Sequence, residues 1–265
     1  MCCITIVIIC LNEKDRILKT LTSALGQDYR NKEIIVIDGG STDGTVEILK
    51  DYQSSIDCFI SELDNGIYHA MNKGIMLANG EYIHFLNGGD EYYNNYVLSD
   101  LFTKNNIVED IIYGNVAYVY SNGRASIVNQ PGRIGYLYLT NNSVNHQSIL
   151  FRASLFKNIG NYTEKYIISG DYEFLIRSIL KIKCSTKYIP IVIASYYKDG
   201  ISSIGPTKDV MRMERLSIQR DHFPAPFYWF TKLRYFLLSR KNVLPHWIIK
   251  YGNNVFRAIF KPKEL

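Results

Sequence analysis

The chain of 265 residues carries 30 lysines and arginines against 25 aspartates and glutamates, which gives a formal net charge of +5. A hydrophobic content of 47% and a charged content of 21% exclude a disordered chain and suit one large domain, alone or with an appendage. The apolar runs are far shorter than the roughly 18 residues that span a bilayer, and no basic segment precedes the first one. We therefore expect neither a transmembrane helix nor a signal peptide.

The first half of the chain predicts alternating strands and helices. Apolar, β-branched runs predict buried strands at residues 4–9, 33–37, 58–61 and 82–86. Apolar residues at helical spacing follow each of the first three strands, most clearly at residues 65–78. This repetition predicts an α/β fold with a parallel sheet covered by helices on both faces. Ligands bind such sheets at the carboxyl ends of the strands, where this chain has Asn12, Asp38, Glu62, Asp64 and Asp90.

The second half predicts a less regular arrangement. Residues 110–120 and 125–130 alternate around Ser121-Asn122-Gly123, which indicates a hairpin. Further strands are expected at residues 148–151 and 187–195, and further helices at residues 172–180 and 209–222.

The turn at residues 38–44 ends a predicted strand and opens a helix. Its glycines would let a ligand approach the backbone, and Asp38 could accept hydrogen bonds from a base or ribose. An ordinary turn capped by Ser41 or Asp43 explains the segment equally well. The turn matches neither the dinucleotide fingerprint G-x-G-x-x-G nor a P-loop, so two large classes of nucleotide enzymes lose support.

Three polar residues in other segments are also candidates for chemistry. Asp90, in the turn after residues 82–86, could bind a divalent metal on a diphosphate, or it could be a solvated acid. His146 could be a metal or phosphate partner or a structural histidine. Asp171, at the start of a predicted helix, could act as a general base or as a cap.

Five segments in this order resemble the family 2 inverting glycosyltransferases, which have the GT-A fold. Cys-Leu-Asn at residues 10–12 is similar to the family's Thr-Tyr-Asn, and I-D-G-G-S-T-D-G-T at residues 37–45 to its V-D-D-G-S-T-D-G-T. The other similar segments are residues 72–83, F-L-N-G-G-D at 85–90 and G-D-Y-E at 170–173. Residues 61–74 resemble a bacterial subgroup that builds O-antigen, capsule and exopolysaccharide repeat units. The resemblance covers roughly residues 3–200.

This resemblance implies a Rossmann-like, mostly parallel central sheet and a role for each matching residue. Asp171 would be the catalytic base, with Glu173 as the fallback and an acceptor contact. Asp90, with His146, would hold Mn²⁺ or Mg²⁺ on the diphosphate, and His146 and Gln147 would lie near the acceptor. The residues expected to bind the nucleotide sugar are Asn12, Asp38, Glu62, Asp64, Tyr68, Asn72, Lys73 and Asn87.

Three departures from the family pattern weaken parts of this assignment. Gly39 and Gly89 replace common carboxylates, so Asp90 would be the only carboxylate ligand in its turn. Gly170 replaces the usual glutamate beside the base.

The positive charge is concentrated at the C-terminus, because residues 1–231 carry a net charge of −2 and residues 232–265 carry +7. Basic residues are interleaved with aromatic ones through residues 225–262, which is typical of amphipathic helices on anionic membrane surfaces. The alternatives are that these helices cover the catalytic domain or form a homodimer interface. The −2 body disfavours a nucleic-acid partner.

Together these observations predict a cytoplasmic enzyme, peripheral on the inner face of the bacterial plasma membrane. Residues 1–222 would be the catalytic domain, with a nucleotide-sugar half at 1–95 and an acceptor half at 96–222, and residues 223–265 a helical tail. The expected reaction transfers a hexose from a UDP-sugar to an undecaprenyl-diphosphate-linked sugar. A non-catalytic sugar-nucleotide sensor or scaffold and a nucleotidyltransferase are the alternatives. The five cysteines, odd in number and irregularly spaced, fit reduced thiols.

Overall fold

The computed structural model describes residues 2–197 and 205–239. Its first four strands pair in parallel in one sheet, in the order β3-β2-β1-β4. Helices lie in the connections between them, because each parallel pair needs a crossover. The elements are β1 (Ile4–Cys10), α1 (Ile17–Leu25), β2 (Lys32–Asp38), α2 (Thr45–Asp51), β3 (Cys58–Ser61), α3 (Ile67–Leu77) and β4 (Tyr82–Asn87).

The second half extends the same sheet with mixed pairing. β8 lies antiparallel between β4 and β6, β7 forms a hairpin with β6, and β9 runs parallel to β6 and antiparallel to β5. The strands are β5 (Glu91–Tyr92), β6 (Ile111–Val119), β7 (Ala125–Val128), β8 (Ile149–Arg152) and β9 (Thr186–Tyr197). The helices are α4 (Val97–Phe102), α5 (Tyr136–Leu139), α6 (Ala153–Ile159), α7 (Gly170–Ile176), α8 (Gly205–His222) and α9 (Ala225–Ser239).

The predicted α/β class, a central sheet flanked by helices, is confirmed. Among the described strands, parallel pairing is confined to β1–β4 and to the β6–β9 pair, so the second half of the sheet is mixed rather than parallel. The predicted helix at residues 172–180 is α7 followed by a π-helical turn at Arg177–Lys181. Helices α4, α5 and α6 and the two-residue strand β5 were not predicted, because such short elements leave little periodicity to detect.

Hydrophobic cores pack on both faces of the sheet, and β1 is buried along its whole length. Ile6 and Ile8 face the core that contains α1, whereas Val7 and Ile9 face the core that contains α3 and α7. The second core continues through α8 as far as Phe223. The two halves of the chain therefore share both a sheet and a core.

Helix α9 begins against the body of the protein. The ring of Phe227 stacks on Tyr136 with centroids 5.1 Å apart, and Thr231 is buried. The predicted last helix, with Lys250, Arg257 and Lys261, lies outside the described residues. Within residues 2–197 and 205–239, no helix is both long enough and apolar enough to cross a bilayer.

Candidate active site

The loop after β2 is built around the carboxylate of Asp38, which is fully buried. Its oxygens accept hydrogen bonds from the N–H groups of Gly40 (3.1 Å) and Ser41 (3.0 Å) and from the hydroxyls of Ser41 and Ser61. Gly40 has a φ of +85°, a conformation that favours glycine. In this structure Asp38 fixes the loop, so the predicted contact with a base or ribose would require one of these hydrogen bonds to be exchanged.

Asn12 ties the end of β1 to the same loop. Its backbone N–H donates to Ser41 Oγ (2.7 Å), and its side-chain Oδ1 accepts from the N–H of Thr42 (2.9 Å). Asn12 is exposed and has a φ of 54°. The residue therefore lies at the rim of the predicted donor site.

Four charged or titratable side chains meet between β3 and α3. Asp64 Oδ1 contacts both Lys73 Nζ (2.7 Å) and His69 Nδ1 (2.8 Å), and Lys73 also pairs with Glu62 (2.5 Å). The structure thus brings three predicted donor-site residues together and adds His69, which the sequence reasoning missed.

Asp64 also presents a free carboxylate oxygen toward the predicted cleft. Its side chain is only 7% exposed, and Oδ2 has no hydrogen-bond partner among the described residues. A Cβ added to Gly39 would lie 3.4 Å from this oxygen. Asp64 therefore brings a carboxylate to the place where the family pattern has one at position 39.

Asn72, predicted to bind the donor, instead anchors the segment that precedes α7. Its side-chain amide donates to the carbonyl of Tyr162 (3.0 Å) and to Glu164 Oε1 (2.8 Å), and its Oδ1 accepts from the N–H of Tyr162 (3.0 Å). Protein groups thus occupy both N–H donors of the amide and its oxygen. The physical reason is that Asn72 lies on the buried side of α3, where its partners are protein groups.

Asp90 is buried in the turn after β4 and is held by two groups. Its Oδ2 accepts a hydrogen bond from Gln147 Nε2 (2.8 Å), and its Oδ1 accepts one from the N–H of Tyr197 (3.3 Å). Burial raises the pKa of Asp90 to about 6. A nearby positive charge would therefore stabilise the ionised form of this carboxylate.

Gln147, predicted to contact the acceptor, lies beneath Asp90 and is 1% exposed. Its carbonyl accepts a hydrogen bond from His84 Nε2 (2.9 Å), and His84 Nδ1 is 2.6 Å from the hydroxyl of Tyr92. Burial lowers the pKa of His84 to about 4, so its ring is neutral at pH 7. Gln147 therefore orients Asp90 in this structure, and its side chain is buried rather than exposed to an acceptor.

Asp171 lies in the first turn of α7 beside His146 and Tyr68. Its Oδ2 is 3.6 Å from His146 Nδ1, and its Oδ1 accepts from the N–H of Tyr172 (2.8 Å) and lies 3.3 Å from the Tyr68 hydroxyl. Burial raises the pKa of Asp171, but His146 and the Tyr172 N–H outweigh it and hold that pKa below its ordinary value. The side chain is 24% exposed. Asp171 is thus an ionised, accessible carboxylate.

Glu173, the fallback base, faces away from this site. It is 4% exposed and accepts hydrogen bonds from Arg177 Nε and Nη2, both at 3.1 Å. His222 Nε2 lies 3.4 Å from its Oε1. Residues two apart on a helix point in nearly opposite directions, which explains why only Asp171 faces the site.

The residues present fit a metal that a bound diphosphate would help to hold. His146 Nε2 and Asn87 Oδ1 are buried without a hydrogen-bond partner in the described part of the chain. The Glu13–Arg16 ion pair fills the space beside Gly89, whose φ is +96°. Within residues 2–197 and 205–239, no group of three or more His, Cys, Asp or Glu side chains is arranged so that it could hold a metal ion by itself. Magnesium commonly binds through one or two carboxylates and the substrate's phosphates, which suits Asp90.

Helix α8 contributes contacts that the sequence reasoning did not assign. The carboxylate of Glu214 accepts from three consecutive N–H groups, those of Ile167 (2.6 Å), Ile168 (3.1 Å) and Ser169 (2.9 Å). Gln219 donates to the hydroxyl of Tyr172 (2.7 Å). The available signal was the polar character of residues 209–222, which does not by itself identify a partner.

Solved structures show the class of the fold. Staphylococcus aureus TarS in complex with UDP superposes with a TM-score of 0.65, at 19% identity over 91% of this chain and 73% of that chain. The Pyrobaculum calidifontis mannosyltransferase PcManGT in complex with GDP-Man and Mn²⁺ gives a TM-score of 0.62, at 16% identity over 99% and 76%. The fold is the Rossmann-like GT-A fold of glycosyltransferases.

The family follows from sequence. The model of glycosyl transferase family 2 matches residues 5–161. The chain is 30% identical over 201 residues to a PGL/p-HBAD biosynthesis glycosyltransferase of Mycobacterium bovis, covering 74% of this chain and 77% of that protein. The chain belongs to glycosyl transferase family 2 and is a glycosyltransferase.

Proposed function

We propose that this protein is an inverting glycosyltransferase that moves a hexose from a UDP-sugar of the glucose or galactose type. The acceptor would be a sugar on a lipid diphosphate, in the synthesis of a bacterial surface polysaccharide. The observation that carries the proposal is Asp171, an ionised and accessible carboxylate beside His146. TarS, whose fold this chain shares, has been solved with UDP and with UDP-GlcNAc, which supports a uridine donor.

The nucleotide sugar would bind in the cleft at the carboxyl ends of β1, β2 and β4. Asp64 Oδ2 and Asn87 Oδ1 are buried acceptors without partners among the described residues, so they are suited to hydroxyl or N–H donors of a nucleotide sugar. Asn12 and Asp38 shape the loop beside them. Residues 1–95 would thus form the donor half, and residues 96–222 the acceptor half.

Asp171 would take the proton of the acceptor hydroxyl as its oxygen attacks the anomeric carbon. The new C–O bond forms while the bond from that carbon to the diphosphate oxygen breaks, and the nucleoside diphosphate leaves. Attack opposite to the leaving group inverts the anomeric carbon. Mn²⁺ or Mg²⁺, held by Asp90 with His146 as the other proposed ligand, would neutralise charge on the diphosphate. Gln147 keeps Asp90 in place.

The exposed face of α9 supports a membrane contact for the tail. Trp229 is 60% exposed and Leu233 is 53% exposed, and Lys232 Nζ lies 4.9 Å from the centre of the Trp229 ring. An aromatic, an aliphatic and a cationic side chain on one surface suit the interface of an anionic bilayer. The protein would then work at the inner face of the plasma membrane, where a lipid-linked acceptor is found.

The decisive experiment is a panel of UDP-sugars offered with a synthetic GlcNAc- or GalNAc-diphosphate-lipid, with and without Mn²⁺. We expect transfer from one donor, a product of inverted configuration by NMR, and a loss of about 10²- to 10⁴-fold in turnover for Asp171→Asn. Donor binding without transfer or hydrolysis would instead favour the sensor. Turnover by a folded Asp171→Asn at the wild-type rate would refute the assignment of the base.

A further inference from the structure

Arg215 of α8 is a cation near the candidate base that makes no salt bridge with the described carboxylates. Its Nε is buried and has no hydrogen-bond acceptor within residues 2–197 and 205–239, and Arg215 is absent from the ion pairs of those residues. The neighbouring Glu214 directs its carboxylate to the N–H groups of Ile167 to Ser169 instead. An unpaired buried polar group is costly, so the Nε of Arg215 is a candidate donor to a ligand.

The position of Arg215 is fixed by the residue that follows the base. The guanidinium carbon lies 4.8 Å from the centre of the Tyr172 ring, and Tyr172 is held by hydrogen bonds from its hydroxyl to Leu139 and from Gln219. Stacking on an aromatic face uses the plane of a guanidinium and leaves its N–H edges available. The charge of Arg215 also contributes to the low pKa of Asp171.

We propose that Arg215 binds the phosphate that is joined to the acceptor sugar. The inference rests on the proposed function and deepens it. In such an acceptor the phosphate is attached at the anomeric oxygen, and the attacking hydroxyl is elsewhere on the same ring, so base and cation must lie about one sugar apart. A guanidinium is well matched to phosphate, because its fork can donate two parallel hydrogen bonds.

The phosphate in question belongs to the acceptor and not to the donor. The donor's diphosphate is assigned to Asp90, in the turn after β4, whereas Arg215 stands on α8 against α7. The family match ends at residue 161, so α8 lies beyond the matched part of the chain. An acceptor-specific group on such an element would let the donor chemistry stay constant while the acceptor changes.

The test compares two acceptors that carry the same sugar, one a short-chain prenyl diphosphate and the other a neutral alkyl glycoside. For Arg215→Gln we expect the KM of the diphosphate acceptor to rise about 10- to 100-fold, with the KM values of the donor and the neutral acceptor unchanged. Arg215→Lys keeps the positive charge but lacks the planar guanidinium. Its KM for the diphosphate acceptor should fall between those of the wild type and Arg215→Gln. Arg220→Gln, an exposed arginine on the same helix, is the matched control and should behave as wild type.

An equal rise in KM for both acceptors, or a loss of kcat with KM unchanged, would overturn the assignment of the phosphate to Arg215. Should Arg215→Gln fail to fold, an unchanged diphosphate KM in Arg215→Lys would overturn the bidentate contact. If the wild-type protein transferred sugar to the neutral glycoside but not to the diphosphate acceptor, the inference about Arg215 would be refuted, whereas the glycosyltransferase activity would stand. Transfer to neither acceptor from any donor would refute the proposed function itself.

Discussion

The ring of Tyr68 occupies the space that a side chain at position 170 would need. A Cβ added to Gly170 would lie 2.8 Å from Cε2 and Cζ of that ring. Tyr68 is buried, donates its hydroxyl to the carbonyl of Ile168 and lies 3.3 Å from Asp171 Oδ1. The glutamate of the family pattern would have to displace this tyrosine ring, and in this chain a phenol lies beside the base instead.

This packing predicts that Gly170→Glu lowers activity, although it restores the family's residue. Overpacking costs about 1–3 kcal/mol, and the displaced Tyr68 would no longer support Asp171. We expect a lower melting temperature and at least about a tenfold loss of kcat, measured by thermal unfolding and initial rates. Gly135→Ala is the control, because a Cβ there meets nothing within 4 Å. A Gly170→Glu variant with wild-type kcat would contradict the argument.

Glu173→Gln should reduce stability while sparing the chemical step. Glu173 is buried against Arg177 and His222, and removing one partner of a buried ion pair costs about 3–5 kcal/mol. Denaturant unfolding should show this loss, whereas kcat at a temperature where the variant is folded should stay within a few-fold of wild type. Asp171→Asn should show the reverse. A stable Glu173→Gln protein without turnover would make Glu173 the base.

Asp90 should make the protein less stable as the pH rises through about 6, in the absence of metal and donor. Its pKa is raised from 3.8 to about 6, so the native state binds this proton more tightly than the unfolded chain. Its stabilisation is complete below the unfolded pKa and is lost above the folded one. Between about pH 4 and about pH 7.5, the unfolding free energy of Asp90→Asn relative to wild type should rise by about 2 kcal/mol.

The comparison needs an unfolding series at each pH and a control that changes charge without burial. Asp209→Asn serves this purpose, because Asp209 is exposed on α8. The unfolding free energy of Asp209→Asn relative to wild type should not show the pH dependence expected for Asp90→Asn. An Asp90→Asn difference that is flat with pH would show that burial does not raise the pKa of Asp90.

Glu214→Gln should loosen the segment that carries Asp171. Three consecutive N–H groups donate to the Glu214 carboxylate, and bonds to a charged acceptor are worth about 1.5–3 kcal/mol each in mutational series. We expect faster amide hydrogen exchange at residues 167–169 and about a tenfold lower kcat, with the donor KM unchanged. Asp209→Asn is again the control. Unaltered exchange at these amides would remove the positioning role.

Trp229→Ala and Lys232→Glu should each weaken binding to vesicles that contain anionic lipid. A basic residue near such a surface contributes about 1 kcal/mol, or about fivefold in binding, so the charge reversal Lys232→Glu should lose more than fivefold, measured by vesicle sedimentation. Tyr96→Ala, an exposed aromatic in the body, and neutral vesicles are the controls. Undiminished vesicle binding would contradict the membrane role, and a change in sedimentation of the free protein would indicate a dimer interface instead.

The sequence by itself determined the alternation of strands and helices in the first half and the edge of the sheet where polar residues gather. Both depend on local patterns, since buried strands and amphipathic helices have periods that a short window reveals. It also identified Asp171 and Asp90 as candidates, because each follows or begins a regular element. The mixed pairing of the second half lay beyond this, since pairing partners are far apart in the chain.

Only the tertiary structure decided which of the polar residues face the cleft. Asn72 and Gln147 carry polar groups suited to ligands, yet their partners are Tyr162 and Asp90, 90 and 57 residues away. In the sequence, Glu214 and Arg215 are two charges on a polar helix. Their roles follow from the packing of α8 against α7 and the segment before it. A side chain's type states which bonds it can make, but whether protein or ligand makes them depends on contacts between segments distant in sequence.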